Sequence, residues 1–303
     1  MPGPVLRLGD RQLRIDGTLV MGVVNASADS FSDGGEHADL DSRVELAGRL
    51  IAEGADMIDV GGQSAITGVA ETPADLEADL VVPLIAAIHE RWPGVLLSVD
   101  TYKPLVVEGS LRAGAAIVND VSGLLQPEVA RLCAAHGAGL VIMHTRSRPK
   151  ERLVDPDLYD DVVADVASFL QRKVEEAMRL GVPEEALILD PGPDFAKTPA
   201  QTIDVVRGLA EFRALGRPLL LALSRKDFIG AILRKPPRQR LAGTMAAIAH
   251  VAVVPGNIVR VHDVAATRDV LAVVDVLTGR ADVDPLYELP MSLRREPVPT
   301  PDG

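Results

Sequence analysis

The chain has 303 residues, a formal net charge of −12 and a sequence pI near 5.0. This acidic balance argues against nucleic acid or a membrane as the partner, although a few placed cations can still bind an anionic small molecule. Because the chain lacks both a long apolar run and the layout of a signal peptide, we expect a cytoplasmic location. A single cysteine argues against a disulfide framework or a thiol-based metal site.

Apolar residues make up 47% of the chain but aromatic residues only 3%, so small and branched aliphatic side chains dominate. That composition favours a parallel sheet covered by helices over an antiparallel sandwich. The length alone suggests about two domains, but α/β barrels commonly reach ~250 residues as one domain.

The predicted elements begin with residues 4–18, whose apolar residues alternate around Gly9 and Asp10. This pattern predicts a β-hairpin, which we expect to close the bottom of the structure that follows. Eight short apolar runs come next, each followed by an amphipathic segment with helical period. The runs are 19–25, 57–61, 95–100, 117–120, 140–144, 187–190, 219–224 and 258–263.

The segments between the runs carry apolar residues every three or four positions, as helices packed on a sheet do. The first predicted helix has them at Val44, Ala47, Leu50 and Ile51, and the longest at Leu158, Val162, Val166, Phe169 and Val174. Glycines just past helix ends are expected to be C-terminal caps. These are Gly54, Gly114, Gly137 and Gly181.

Eight strand–helix units in succession predict a (β/α)8 TIM barrel. A solenoid is disfavoured because no motif repeats. A doubly wound open sheet would need a glycine-rich turn after its first strand, and residues 25–28 (Asn-Ala-Ser-Ala) do not form one. We therefore divide the chain into a hairpin (1–18), one barrel domain (19–280) and a Pro- and charge-rich tail (281–303).

The carboxyl ends of barrel strands converge on one face, where side chains form the site. Every run ends in polar residues, which are Asn25, Asp59, Asp100, Asn119, His144, Asp190, Ser224 with Lys226 after it, and Arg260 with His262. Taken singly, such a residue is more often a helix cap or a turn residue. Carboxylates, amides and cations at all eight ends together indicate a binding site.

The carboxylates and the amide of this set suit one kind of ligand. Asp100, Asn119 and Asp190 can bind the edge of a flat heterocycle that bears amino and ring N–H donors. Lys226 can donate to a ring carbonyl.

The cations of the set point to an anion. Arg260 lies inside an apolar run, where a guanidinium is costly unless an anion meets it. With His262 and the Asn25 amide it is predicted to bind phosphate or pyrophosphate, and Mg²⁺ is the expected companion ion. With neither a Ser-His-Asp arrangement nor a His/Cys metal cluster in the sequence, the predicted chemistry is stabilisation of a departing anion.

Several motifs carry a family resemblance: MGVVNASADSFSDGG (21–35), DVGG (59–62), SVDTYKP (98–104), NDVSG (119–123), DPG (190–192), SRKDFIG (224–230) and RVHDV (260–264). Together they resemble dihydropteroate synthase, in order, from about residue 18 to 280. The resemblance implies a homodimeric TIM-barrel enzyme of folate synthesis. Such enzymes join p-aminobenzoate to 6-hydroxymethyl-7,8-dihydropterin pyrophosphate and release pyrophosphate.

The same resemblance implies a role for each matching residue. The pterin would be held by Asp100, Asn119, Asp190 and Lys226; pyrophosphate by Asn25, Arg260 and His262; Mg²⁺ by Asn25; and p-aminobenzoate by Ser224 and Phe31. Of these, Lys226, Arg260 and Asp100 would be catalytic. Ionisation of the C–O bond would give a pterin-stabilised cation, which the amine attacks.

The departures from the family pattern lie in loops. Ala28 replaces a proline in the first loop, which is therefore less pre-organised. Ala65, Ile66 and Thr67 replace Thr-Arg-Pro in the second loop, and Ile66 cannot bind pyrophosphate as the family arginine does. Loss of a donor to transition-state charge costs ~10²–10³ in rate. Asp194 stands where the family usually has glycine.

Two cations of the fifth loop, Arg146 and Arg148, are candidates to replace the lost arginine, unless this loop is only a solvated charge run. Two hypotheses follow: a working synthase, or a non-catalytic paralogue that binds a pterin-like ligand. A methyltetrahydrofolate-dependent methyltransferase would share the barrel but does not explain SRKDFIG.

Overall fold

The computed structural model describes residues 3–26, 40–63, 68 and 70–295. Within these residues, eight parallel strands close into a barrel, preceded by an antiparallel hairpin of β1 (Val5–Leu8) and β2 (Arg11–Arg14). The barrel strands are β3 (Thr18–Asn25), β4 (Met57–Gly61), β5 (Leu96–Asp100), β6 (Ile117–Asp120), β7 (Gly139–Met143), β8 (Leu187–Asp190), β9 (Leu219–Leu221) and β10 (Asn257–Val261). The predicted TIM barrel with its N-terminal hairpin is confirmed.

Helices follow the strands and cover the outside of the barrel. They are α1 (Leu40–Ala52), α2 (Ala74–Arg91), α3 (Pro104–Arg112), α4 (Pro127–His136), α5 (Val162–Arg179), α6 (Pro199–Arg207), α7 (Leu209–Arg213), α8 (Asp227–Leu233), α9 (Leu241–Ala252) and α10 (Val264–Leu277). In the part of the chain that the structure describes, no helix combines the length and apolar character needed to cross a bilayer.

Strand register places the predicted polar residues side by side. Asn25 lies opposite Gly61, Gly61 opposite Asp100, and Asp100 opposite Asn119. Pairing of β10 with both β3 and β9 closes the ring. The polar ends of neighbouring strands therefore lie at one level of the barrel.

The hairpin closes the lower end of the barrel, as expected. Its buried side chains Leu6, Leu8 and Ile15 pack with one inward-facing apolar residue from each barrel strand. That second set is Met21, Met57, Leu96, Ile117, Val141, Ile188, Leu220 and Ile258. Because this end is filled by apolar side chains, only the opposite, carboxyl end can receive a polar ligand.

Some predicted boundaries were wrong for local reasons. The helix predicted to be the longest, α5, begins at Val162 and excludes Leu158, because the Asp161 side chain accepts hydrogen bonds from the Val163 and Ala164 N–H groups and caps the helix. The seventh barrel strand, β9, was predicted to reach residue 224 but ends at Leu221, before the Leu223–Lys226 turn. The predicted cap glycines are confirmed by φ angles of 101° at Gly54, 114° at Gly114, 65° at Gly137 and 101° at Gly181.

After α10 the described chain is mostly exposed and holds a short 3-10 helix at Met291–Leu293. The domain division at residues 18 and 280 stays a prediction.

Candidate active site

A cavity opens at the carboxyl ends of the barrel strands. It is lined by five of the predicted site residues, namely Asp100, Asn119, Asp190, Lys226 and Arg260. Met143, Phe195, Arg148 and Lys150 also line it, and of these four only Arg148 was a predicted candidate. Strand ends that are far apart in sequence thus contribute to one site, as the barrel prediction required.

Arg260 is held by two carboxylates at the base of the cavity. Its Nε donates to Asp59 Oδ2 at 2.6 Å and its terminal amino group donates to Asp100 Oδ2 at 2.8 Å. Asp59 is fully buried. The sequence placed Asp59 in the set of polar strand ends but gave it no specific role, although the need for an anion beside Arg260 was a signal for such a partner.

Asn119 offers an acceptor that the described residues do not use. Its Nδ2 donates to Asp59 Oδ2 at 3.3 Å, and Ser98 Oγ donates to the other oxygen of Asp59 at 2.6 Å. The Asn119 Oδ1 atom is buried and has no hydrogen-bond partner in the described part of the chain. A buried acceptor without a donor is costly, so this atom indicates a ligand N–H group.

Burial changes the acidity of the two cavity carboxylates. It raises the pKa of Asp190 to about 6, although the Gly192 N–H donates to Asp190 Oδ1 at 2.7 Å and lowers it. Burial likewise raises the pKa of Asp100 to about 7, opposed by Arg260 and reinforced by Asp59. Donors from a bound ligand favour the ionised form of both groups.

Lys226 lies beside an aromatic ring at the edge of the cavity. Its Nζ is 4.2 Å from the ring centroid of Phe195, within range of a cation–π contact. Burial lowers the pKa of Lys226, while Asp194 and Asp190 act in the opposite direction. Asp194, which stands where the family usually has glycine, thus adds a negative charge that favours the protonated form of Lys226.

Ser224 lies in an adjoining groove and is in contact with His262. Ser224 Oγ and His262 Nδ1 are 3.0 Å apart. Ser224 shares the groove with Phe195 and Lys226, which also line the main cavity. The predicted p-aminobenzoate contact Ser224 and the predicted pyrophosphate contact His262 are therefore neighbours of the main cavity, whereas Arg260 lines it.

Asn25 adjoins the same level from β3. A Cβ atom added at the facing Gly61 would lie 3.8 Å from both Asn25 Oδ1 and Asp100 Oδ2, so the two side chains flank this glycine. Phe31 and the substituted loop positions Ala28, Ala65, Ile66 and Thr67 lie outside the described residues.

The site can supply little of a metal's coordination by itself. Among the described residues, no group of three or more His, Cys, Asp or Glu side chains is arranged to hold a metal ion. Mg²⁺ commonly binds through one or two protein oxygens plus substrate phosphates. Asn25 Oδ1 therefore fits an ion that phosphate oxygens hold for the most part.

His144 and Arg146, at the start of the fifth loop, turn away from the cavity. His144 is buried, with Nε2 3.0 Å from Asp165 Oδ1 and Nδ1 2.8 Å from Lys197 Nζ. Arg146 forms an ion pair with Asp165. It is thus a poor replacement for the missing loop arginine, whereas Arg148 and Lys150 line the cavity.

A sequence model described as pterin binding enzyme matches residues 21–262. The dihydropteroate synthase of a Synechocystis species is 39% identical over 264 residues, which cover 86% of this chain and 90% of that enzyme. The structure of Xanthomonas albilineans dihydropteroate synthase with 4-aminobenzoic acid has 38% identity and a TM-score of 0.83, covering 91% of this chain and 98% of that one. The Xanthomonas albilineans enzyme in complex with 7,8-dihydropteroate has 37% identity and a TM-score of 0.80, covering 90% and 98%. With its closed barrel and its ring of polar strand ends, the chain therefore belongs to the dihydropteroate synthase family of pterin-binding enzymes.

Proposed function

We propose that this chain joins 6-hydroxymethyl-7,8-dihydropterin pyrophosphate to p-aminobenzoate with release of pyrophosphate, a step of folate biosynthesis. The observation that carries the proposal is the buried ring of Asp100, Asn119, Asp190, Lys226 and Arg260 around one cavity. Relatives that share this barrel over nine-tenths of the chain include a synthase with 4-aminobenzoic acid and one with 7,8-dihydropteroate.

The pterin would occupy the main cavity. Its amino and ring N–H groups would donate to Asp190 and to the unpartnered Asn119 Oδ1. A carboxylate that accepts two parallel N–H bonds gives both affinity and shape selectivity. Lys226 would donate to the ring carbonyl, and Asp100, already held by Arg260, would accept from the remaining edge.

The pyrophosphate would extend toward Arg260, Asn25 and His262. Asp59 fixes one side of the Arg260 guanidinium and leaves other N–H groups for an anion. Lys150 and Arg148 line the cavity and add positive charge there. They would offset the loss of the family arginine, whose place in the second loop is taken by Ile66. Mg²⁺, held by Asn25 and the phosphates, would supply charge neutralisation of the leaving group.

The arylamine would enter through the groove beside Phe195, with its carboxylate near Ser224. The C–O bond to pyrophosphate breaks, and the leaving group takes the electron pair. The pterin-stabilised cation is then attacked by the amine nitrogen, which forms the C–N bond and releases a proton to solvent. Arg260 stabilises the charge that develops on the departing oxygen.

One sequence observation favours a second candidate, a non-catalytic paralogue that retains pterin binding. The replacements Ala65, Ile66 and Thr67 remove a hydroxyl, a guanidinium and a proline ring from the second loop. The deciding experiment is calorimetric titration with the pterin pyrophosphate, with and without Mg²⁺, followed by a turnover assay with p-aminobenzoate.

Each outcome of this experiment is diagnostic. Turnover by the wild-type chain at a rate typical of the family rules out the paralogue. Binding without turnover, rescued when residues 65–67 are changed to Thr-Arg-Pro, supports the paralogue and rejects the synthase. A chain that binds no pterin rejects both.

A homodimer in the cytoplasm completes the proposal. An apolar groove between α6, α8 and α9 is lined by Ile203, Phe228, Ile232, Leu233 and Ala247, among others. Ile232 is 61% exposed on this surface. Burial of such a patch against a second copy would remove apolar area from water.

A further inference from the structure

The loop between β8 and α6 connects the main cavity to the adjoining groove. Asp190 stands at its start and lines the cavity, and Phe195 lines both spaces. Gly192, Asp194 and Ala196 have φ angles of 64°, 65° and 50°. Non-glycine residues rarely adopt this left-handed conformation, so specific side-chain contacts must hold it.

Lys197, itself a residue of this loop, makes such contacts through its side chain. Its side chain is almost wholly buried, with only 2% of the residue exposed. The Nζ donates to the Gly192 carbonyl at 2.9 Å, the Phe195 carbonyl at 3.0 Å and His144 Nδ1 at 2.8 Å. One ammonium therefore ties two separate points of the loop to the end of β7, with one N–H group for each acceptor.

His144 is held in the state that this contact needs. Burial lowers the pKa of Lys197 to about 7. As an ammonium, its Nζ can only donate, so His144 Nδ1 accepts and its Nε2–H donates to Asp165. Burial lowers the pKa of His144 to about 3, which keeps the ring neutral. Arg146 in turn pairs with Asp165, so the support extends to the surface of α5.

The loop passes against β7 with no room to spare. A Cβ atom at Gly192 would lie 2.0 Å from the His144 carbonyl oxygen. The Gly192 N–H donates to Asp190 Oδ1, so the position of this glycine sets that of the carboxylate. Phe195, bound through its carbonyl, sets the ring that Lys226 Nζ approaches.

We propose that Lys197 is a positioning residue that fixes Asp190 for the pterin and Phe195 for the second substrate at the same time. Lys197 lines the adjoining groove but not the main cavity. Its Nζ is occupied by the Gly192 and Phe195 carbonyls, so it acts through the backbone of the loop. The inference rests on the proposed function only for the identity of the two ligands.

The test compares Lys197→Met with Lys173→Met as a matched control. Lys173 also donates to a backbone carbonyl, that of Leu124, and to Glu176, but it does not line the cavity. Lys197→Met is expected to weaken binding of the pterin pyrophosphate and to raise the KM for p-aminobenzoate, each by about 10- to 100-fold. The control variant should keep wild-type values for both.

A second variant distinguishes the hydrogen bonds of the Lys197 ammonium from the volume of its side chain. It also provides a test if the Lys197→Met protein does not fold. Lys197→Ala is titrated with propylamine, whose ammonium can replace the three donors, and with 1-propanol, which has similar size but one donor. Saturable recovery of pterin affinity with propylamine alone supports the proposal. Equal recovery with propanol, or no recovery with either, overturns it, as does a folded Lys197→Met protein with unchanged constants.

These outcomes remain distinct from failure of the proposed function. If the wild-type chain binds the pterin pyrophosphate without turnover, the synthase reaction is rejected, and the pterin dissociation constants still decide the role of Lys197. A wild-type chain that binds no pterin overturns both.

Discussion

The substitution Asp190→Asn tests the proposed pterin contact most directly, because the structure dictates how the amide must sit. The Gly192 N–H donates to Asp190 Oδ1 at 2.7 Å, and an asparagine must keep its oxygen on that donor. Its Nδ2 then faces the cavity, where the ligand also presents N–H donors. The charge-assisted hydrogen bond of the wild type is thereby replaced by a repulsive contact between two N–H donors.

The size of the effect follows from two contributions. Loss of a hydrogen bond to a charged group costs about 1.5–3 kcal/mol, and burial of unpaired donors costs about 1–3 kcal/mol. Allowing for partial relaxation, we expect a loss of about 3–4 kcal/mol in pterin binding. This corresponds to ~10²–10³ in the dissociation constant, at about 1.4 kcal/mol per tenfold change.

Stability should respond with the opposite sign. Burial raises the pKa of Asp190 to about 6, so its ionised form disfavours the folded state at pH 7, and a neutral amide removes that cost. We therefore expect the Tm of the ligand-free variant to equal or exceed that of the wild type.

The assays are calorimetric titration with the pterin pyrophosphate and thermal unfolding without ligand. Asp120→Asn is the matched control, since burial also raises the pKa of Asp120 to about 6 but its Oδ1 accepts from Ser122, outside the cavity. Asp190→Asn binding within a few-fold of wild type, or a lowered Tm with a parallel loss of affinity, would refute the reasoning.

Three further predictions concern charge and assembly. Pterin affinity should fall as the pH is lowered from 8 to 5, because Asp100 and Asp190 protonate near 7 and 6. The raised pKa values of these two groups stabilise the folded state at low pH, and this contribution is lost as the pH rises. The ligand-free Tm should therefore not fall together with the affinity. A flat calorimetric profile would contradict this. Lys150→Met should weaken binding of the pterin pyrophosphate by about tenfold but leave binding of the pterin alcohol unchanged. Arg131→Ala, whose guanidinium pairs with Glu128 away from the cavity, should change neither affinity. An equal loss of affinity for both ligands in Lys150→Met would exclude a diphosphate contact. Ile232→Asp should convert a dimeric wild type to monomers in light scattering, whereas a monomeric wild type would reject the proposed interface.

Strands could be predicted from sequence because the barrel strands are short aliphatic runs that contain or lead into polar residues. The runs at 57–61, 117–120 and 187–190 coincide with β4, β6 and β8. Convergence of Asp100, Asn119 and Asp190 on one cavity then follows from the barrel itself. Pattern and topology agree here because the local periodicity reports directly on burial.

What the sequence could not provide were contacts decided by strand register and loop path. Asp59 meets Arg260 across 201 positions, and no local pattern distinguishes such a pairing from a turn carboxylate. The sequence around Lys197 does not distinguish it from any other lysine that precedes a helix, because its contacts depend on the folded path of the loop. The helix start at Val162 was missed for a different reason, since apolar periodicity continued past the capping Asp161.

The hairpin has a consequence for the order in which the fold is completed. The Gly17 carbonyl accepts from the Gly256 N–H, and the Gly137 carbonyl accepts from the Gly9 N–H. The hairpin's docking surface therefore forms only when the ring, including the much later β10, has closed. Until then Leu6, Leu8 and Ile15 have no complete surface to pack against. We therefore expect the hairpin to dock last during folding, with its amide protection appearing together with that of β10.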